Sequence, residues 1–201
     1  MKQRIVFAVV FGTAVGLGIG AALADPGYYV SGEAGASLPP DLHLSSGGAT
    51  QQTGFGTGVA AGGAVGYDTG NGIRVELDSL YQHTDVARLN GAPATGHLSS
   101  TSLMANATYD LMQAGPVTPY VGAGVGLQYV GGMVNNLSGR DWEPAYQAEA
   151  GLRTDLSDKA SLFGEYRFSQ SESFVISNGA DSAHQHFSDH ALLAGVSFKI
   201  N

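Results

Sequence analysis

Apolar residues alternate with polar or small residues through eight separate segments of this sequence. A period of two is typical of a β-strand, because successive side chains point to opposite faces. Between residues 73 and 77, for example, Ile73, Val75 and Leu77 alternate with Arg74 and Glu76. The eight segments cover residues 28–38, 55–67, 73–82, 102–111, 121–129, 146–153, 161–168 and 192–200. The pattern therefore predicts an all-β fold with eight strands.

Two architectures give this alternation: a soluble β-sandwich, whose apolar faces form a core, and a membrane β-barrel, whose apolar face meets lipid. Aromatic residues sit at the two ends of the apolar faces, with small Ala, Val and Leu residues between them. A barrel shows such girdles at the two membrane surfaces, whereas a sandwich core would concentrate its bulk in the middle. One girdle is predicted at Tyr28, Tyr67, Tyr109 and Phe198, and the other at Tyr81, Tyr129, Tyr146, Tyr166 and Phe168.

The connections between the segments alternate strictly between short and long. The short ones are residues 68–72, 112–118 and 155–159, and the long ones are residues 39–53, 83–97, 130–143 and 169–187. Outer-membrane barrels have short periplasmic turns, longer external loops and an even number of strands. The spacing therefore predicts an eight-stranded antiparallel up-and-down transmembrane β-barrel with both termini on the periplasmic side.

The first 24 residues have the three-part layout of a secretory signal peptide. Lys2 and Arg4 give a positive start, residues 5–23 carry no charge, and Ala22 and Ala24 form a small-x-small cleavage site. We expect residues 1–24 to be a cleaved signal peptide and residues 25–201 to form the barrel domain; a permanent anchor is the alternative. The mature chain then has 7 basic and 17 acidic residues, a net charge of −10, which argues against a nucleic-acid partner.

Four stretches of the chain resemble the small opacity-type outer-membrane proteins, which are relatives of the eight-stranded transmembrane domain of outer-membrane protein A. The stretches are Gly27-Tyr-Tyr-Val-Ser-Gly, Asn71-Gly-Ile-Arg-Val-Glu-Leu, Thr118-Pro-Tyr-Val-Gly-Ala-Gly-Val-Gly and His190-Ala-Leu-Leu-Ala-Gly-Val-Ser-Phe. The resemblance implies a Gram-negative outer-membrane location and assembly by the barrel-insertion machinery. One departure is the C-terminus, because such chains usually end in Phe and this one ends in Phe198-Lys-Ile-Asn.

The face opposite the apolar one carries charges of both signs, and an eight-stranded barrel is only wide enough for side chains to fill it. Charges in such a lumen must pair, because an unpaired buried charge costs several kcal/mol. We expect a nearly balanced ionic network that plugs the lumen; a gated narrow ion path is the alternative. The predicted members are Glu33, Arg74, Glu76, Asp78, Glu149, Arg153, Glu165, Arg167 and Lys199.

The sequence offers two weaker candidate sites on its external side. His184 and His186, with Asp181 and Asp189 nearby, have ligand types that suit a divalent metal ion, but solvated loop histidines explain them more simply. A hydrolytic site would need Ser188 and His186 with Glu165 or Asp189, at a spacing too loose to be specific. All six histidines lie in or beside the long connections, namely His43, His83, His97, His184, His186 and His190. We therefore expect no catalytic residue, no metal and no cofactor.

The most economical function is a monomeric, non-enzymatic outer-membrane barrel with a structural or surface-interaction role carried by external loops. A small porin is the alternative, and a lipid-modifying hydrolase is a second one. Expected partners are outer-membrane lipids and lipopolysaccharide, the insertion machinery and periplasmic chaperones, with host or surface ligands at the loops. Apolar loop residues that suit such contacts are Leu42, Leu44, Met133, Val134, Trp142, Phe174, Val175 and Ile176.

Overall fold

The computed structural model describes residues 26–40, 42–46, 49–89, 92–93, 96–111, 116–134, 137–177 and 182–200, and these contain eleven strands. In chain order they are β1 (Gly27–Ser37), β2 (Leu42–Ser46), β3 (Ala49–Phe55), β4 (Gly58–Asp68), β5 (Ile73–Leu89), β6 (Ala92–Pro93), β7 (Gly96–Asp110), β8 (Val117–Val134), β9 (Leu137–Ser157), β10 (Ala160–Ser177) and β11 (Ser182–Ile200).

Eight of these strands, β1, β4, β5 and β7 to β11, form a closed antiparallel barrel. Each strand of the barrel pairs with its neighbours in this order, and β1 closes the ring by pairing with β11. Tyr28, for example, lies opposite Tyr67 of β4 and Ile200 of β11. The short strands β2, β3 and β6 belong to the external connections, where β3 and β6 pair with β5. The predicted eight-stranded up-and-down barrel is confirmed.

Successive side chains along each barrel strand point alternately to the outer surface and to the interior of the barrel. On the outer surface, Val125 is 66% exposed and Leu152 is 56% exposed, whereas the inward Asp78 and Gln147 are each 2% exposed. Apolar side chains therefore cover the outside and polar side chains fill the interior, which is the arrangement that a bilayer requires. None of the described residues forms a helix of the length and apolar character needed to cross a membrane.

The first periplasmic turn shows why the short connections are rich in Gly and Asp. Gly70 and Gly72 have φ angles of 76° and 87°, a region that side-chain-bearing residues rarely adopt. The Asp68 carboxylate accepts a hydrogen bond of 2.8 Å from the Gly70 amide, and the Thr69 hydroxyl donates to the Ile73 carbonyl at 2.7 Å. These local bonds reverse the chain within four residues of the end of β4.

The prediction of four long external loops is wrong in extent, because most of those residues form strands. β5 continues to Leu89, β8 to Val134 and β10 to Ser177, and β11 already begins at Ser182. Outside the bilayer neither face must be apolar, so the period of two fades while the backbone pairing continues. The external sides of the barrel are therefore tall hairpins.

Candidate functional site

The lumen of the barrel holds nearly all of its buried polar side chains, and three inward aromatic rings help to fill it. Each ring lies against a glycine on a neighbouring strand: Tyr29 against Gly66, Tyr120 against Gly151, and Phe163 against Gly195. A Cβ atom at any of these glycines would collide with the ring. The inward glycines thus provide the space for large side chains in a narrow barrel.

The centre of the lumen is organised by one guanidinium group. Arg167 of β10, which is 4% exposed, places Nη1 at 2.9 Å from Glu33 and 2.7 Å from Asp78. Its Nη2 lies 2.7 Å from Glu165 and its Nε 3.7 Å from Glu149. These four carboxylates come from β1, β5, β10 and β9, so one cation ties together strands on different sides of the barrel. We call these five residues the central cluster.

Neutral side chains complete the hydrogen bonding of the central cluster. The Tyr120 hydroxyl donates to Glu165 at 2.8 Å. The Gln147 amide donates to Asn106 at 2.9 Å and to Asp78 at 3.4 Å. Tyr120 lies on β8 and Asn106 on β7, two strands that contribute no carboxylate to the central cluster, and Gln147 lies on β9, the strand of Glu149.

A second ionic group, the periplasmic cluster, lies at the opposite end of the lumen from the external hairpins. Asp110 of β7 bridges two arginines: one oxygen lies 3.1 Å from Arg74 Nη2, and the other accepts from Arg153 Nη2 at 2.8 Å. Arg74 also donates to the Thr108 hydroxyl at 3.1 Å, and its guanidinium carbon lies 4.8 Å from the centre of the Tyr120 ring. The Tyr120 side chain therefore contacts both the central and the periplasmic clusters.

Toward the external side, an apolar patch lines part of the lumen. It consists of four inward residues of β4, β5 and β11, namely Ala60, Leu80, Ala191 and Leu193. Next to this patch lies an external polar group around Asp189, whose carboxylate accepts from the Ser37 hydroxyl at 3.1 Å and from the Gln82 amide. Asp189 is 1% exposed. The external part of the lumen is therefore filled by apolar and polar side chains together.

The structure separates the nine residues of the predicted lumen network. Five of them, Glu33, Asp78, Glu149, Glu165 and Arg167, form the central cluster. Arg74 and Arg153 belong to the periplasmic cluster, and Glu76 accepts a hydrogen bond from the Tyr29 hydroxyl. Lys199 is half-buried at the periplasmic mouth, where it lines a cavity of about 400 Å³ together with Asp68, Arg153, Asp155 and Asp158.

The expected near-balance of charge inside the barrel is wrong. Three further carboxylates are buried, those of Asp68, Asp110 and Asp189. Asp68 and Asp110 lie at strand ends, and Asp189 lies between the predicted connection at residues 169–187 and the last predicted segment at residues 192–200. At such positions the alternation of the sequence gives little indication that a side chain faces the lumen. Asp110 is the exception, because it continues the inward alternation of its segment. Carboxylates therefore clearly outnumber guanidinium groups among the buried lumen residues.

The sequence matches a family of proteins that have the same β-barrel architecture as the structure. Residues 7–199 match the model of the outer membrane protein beta-barrel domain. The chain belongs to that family. As an outer-membrane β-barrel protein, it has its place in the outer membrane, with its apolar surface facing the lipid.

Similar proteins include one relative by sequence and two solved barrels. An outer membrane protein of Gluconacetobacter diazotrophicus is 35% identical over 124 residues, which are 52% of this chain and 33% of that relative. Neisserial surface protein A superposes with a TM-score of 0.58 at 20% identity, covering 86% of this chain and 97% of the other. OprG from Pseudomonas aeruginosa gives 0.55 at 14% identity, covering 87% and 96%. The solved barrels share the fold; this chain spans only a third of its sequence relative.

The residues of the predicted aromatic girdles lie on the outer surface of the outer-membrane barrel. At the periplasmic end, the Tyr28 and Tyr67 rings are 5.0 Å apart, and Tyr109 and Phe198 are also exposed. At the external end the exposed or half-exposed residues are Tyr81, Tyr129, Tyr146, Tyr166 and Phe168. Trp142, which was expected in a loop, lies instead on β9 with its ring 5.4 Å from that of Tyr129. The external girdle therefore contains a tryptophan that the loop prediction concealed.

The two weaker candidate sites are not assembled as the sequence suggested. Asp189 and Glu165, the proposed acids of a hydrolytic site, point into the lumen and are bonded to Ser37 and Tyr120. Ser188 precedes Asp189 on the same strand and so faces the other side. Among the described residues, no three His, Asp or Glu side chains already converge on a common metal position. The side chains of His43, His184 and His186, and the whole of Asp181, lie outside the described part of the chain.

Proposed function

We propose that this outer-membrane β-barrel protein is a closed, non-enzymatic barrel that anchors external hairpins at the cell surface. The lumen of this barrel is plugged, and its surface role belongs to the external hairpins. The expected partners are lipopolysaccharide and outer-membrane lipids at the girdles, and surface or host molecules at the hairpins. The insertion machinery and periplasmic chaperones act only during assembly.

The observation that carries the plug is the position of Arg167. Its guanidinium group lies at the centre of the lumen, within 3 Å of the carboxylates of Glu33, Asp78 and Glu165. Moving it aside to open a path would leave several buried carboxylates without a counter-charge. Breaking a buried ion pair by removing one partner costs about 3–5 kcal/mol, so thermal opening of the cluster is rare.

The packing around the central cluster supports the same conclusion. Met104 and Gln128 are inward residues that are 0% exposed, so neither meets a water-filled channel. The buried apolar patch of Ala60, Leu80, Ala191 and Leu193 also fills part of the lumen toward the external side. An eight-stranded barrel that is filled in this way has no room for a permeating solute.

A small porin is the rival function, favoured by the polar lining of the lumen and by the open periplasmic mouth. The two functions are distinguished by reconstituting purified monomer in a planar bilayer. We expect no stable openings from the wild-type protein. Stable nanosiemens-scale openings from the monomer would show that the protein is a porin and not a plugged barrel. An Arg153→Gln variant is the matched control, because it alters an arginine of the periplasmic cluster and leaves the central cluster intact.

The absence of enzymatic activity is tested on the remaining nucleophile of the candidate hydrolytic site. The acids proposed for that site are engaged in the lumen, so we expect a Ser188→Ala variant to leave the lipid A composition of cells unchanged. A change in lipid A composition caused by this substitution alone would show that the protein modifies lipid. The surface role is tested separately by protease digestion of intact cells, which should cleave the external hairpins and leave the barrel.

A further inference from the structure

Two histidines and an aspartate come together on the outer surface of the barrel, just beyond the external girdle. His83 and Asp85 follow the girdle residue Tyr81 on β5 at steps of two, so all three face outward. His97 lies on the neighbouring strand β7, directly opposite Asp85 in the pairing register. We call His83, Asp85 and His97 the β5–β7 triad. The ionic clusters of the lumen are on the opposite face of the sheet.

The distance between His83 and Asp85 is close to that between two ligands of one metal ion. His83 Nε2 lies 3.7 Å from Asp85 Oδ1, and the rings of His83 and His97 are 5.9 Å apart between centroids. Two donors bound tetrahedrally to one Zn²⁺ at about 2.0–2.2 Å are separated by about 3.4 Å. The His83–Asp85 pair is therefore within a few tenths of an ångström of the separation that two ligands of one ion require.

The third candidate donor, His97, is close to His83, but the three side chains as they stand are not placed to hold one ion. The two positions of β5 and the opposing position of β7 lie on one face, which fixes the backbone of a three-ligand arrangement. The His97 side chain is exposed and the Asp85 side chain is 83% exposed, so both can rotate without repacking a core. Binding of one ion by all three side chains would therefore require the His97 side chain to rotate toward the His83–Asp85 pair.

We propose that the β5–β7 triad is a surface site for a divalent transition-metal ion. Two imidazoles and one carboxylate suit Zn²⁺, Ni²⁺ or Cu²⁺ better than Mg²⁺ or Ca²⁺, which prefer oxygen ligands. Three protein ligands leave one position for water or for an anionic oxygen from the surroundings. Without a metal, the His83–Asp85 contact is an exposed ion pair of the kind that contributes little to the stability of a protein.

The test must separate the triad from the other histidines of the chain. We would use the detergent-refolded barrel in a background in which His43, His184 and His186 are replaced by Asn. Titration calorimetry with ZnCl₂ alone, and then with NiCl₂ alone, should show one site per chain. His83→Ala and His97→Ala should each weaken binding by at least about tenfold, because removing even a residue that only supports a ligand typically costs about that much. His190→Ala is the control, because His190 contacts Tyr166 on another part of the outer surface.

Two results would overturn the proposal. One is that neither Zn²⁺ nor Ni²⁺ binds the background protein with a Kd below about 1 mM, the value that corresponds to a binding free energy of about −4 kcal/mol. The other is binding that persists unchanged in both the His83→Ala and the His97→Ala variants. Heat-modified mobility on a gel checks that every variant is folded, so a loss of binding cannot come from loss of the barrel. A Co²⁺-loaded sample should also show the visible absorption of a tetrahedral ion, and this absorption should disappear with His97→Ala.

Discussion

Replacing Arg167 by Ala removes the only guanidinium group of the central cluster and leaves Glu33, Asp78, Glu149 and Glu165 around an empty position. Removing one partner of a buried pair costs about 3–5 kcal/mol, since the remaining charge is left uncompensated. Four carboxylates share this arginine, so we expect a loss at the upper end of that range. The assay is urea unfolding of the detergent-folded barrel, followed by heat-modified gel mobility and circular dichroism.

The matched control is Arg153→Ala in the periplasmic cluster. Arg153 lies 2.8 Å from the Asp110 carboxylate and 3.9 Å from that of the exposed Asp155, and Asp110 retains Arg74 after the substitution. Its loss should therefore stay near the cost of a single unpaired polar group, about 1–3 kcal/mol. Adding Glu33→Gln and Glu149→Gln to Arg167→Ala should restore part of the stability, because the excess negative charge is then removed. Equal losses for the two arginines, or no restoration by the two Gln substitutions, would refute the reasoning.

Three further predictions concern the fit of the lumen, the lipid face and the external girdle. Gly66→Val should lower the free energy of unfolding by about 1–3 kcal/mol in the urea assay, because its side chain collides with the Tyr29 ring; full stability would show that the ring moves freely. Val125→Arg at mid-strand should cost about 2–4 kcal/mol in lipid vesicles and Val59→Arg near the external surface less than about 1 kcal/mol; equal costs would contradict the assigned depths. Trp142, the single tryptophan, should be quenched by lipids brominated near the headgroup and not by lipids brominated at the chain end; the opposite order would place β9 at another depth.

The barrel could be predicted because its outer surface must be apolar over a fixed height. This requirement gives each strand an apolar residue at every second position. Val75 and Leu77 face lipid while Arg74 and Glu76 face the lumen, and each pair of neighbours reports the same constraint. The heights of the external hairpins could not be predicted in this way. Beyond Tyr81, residues such as Gln82 and Thr84 are inward but their outward neighbours are also polar, so the period carries no information there.

The grouping of the charged side chains in the lumen also could not be predicted from the sequence. Alternation assigns Glu33, Arg74 and Arg167 to the interior but does not say which charges share a depth. That depends on the tilt and register of the strands, which place Arg167 opposite Glu149 on β9 and Ala191 on β11. The β5–β7 triad depends on register in the same way. His83 and His97 are 14 positions apart in the chain, and only the pairing of Asp85 with His97 brings them together.

The closed lumen is tested most directly by whether water reaches its centre. The chain contains no Cys, so a single Met104→Cys substitution places one thiol at a fully buried inward position beside the central cluster. Asp158→Cys on the exposed periplasmic turn between β9 and β10 is the control. We expect a small, charged, membrane-impermeant thiol reagent to label position 158 rapidly in the folded barrel. Position 104 should be labelled only after unfolding in urea. Labelling of position 104 in the folded protein at the rate of position 158 would contradict the plug and establish a water-filled path.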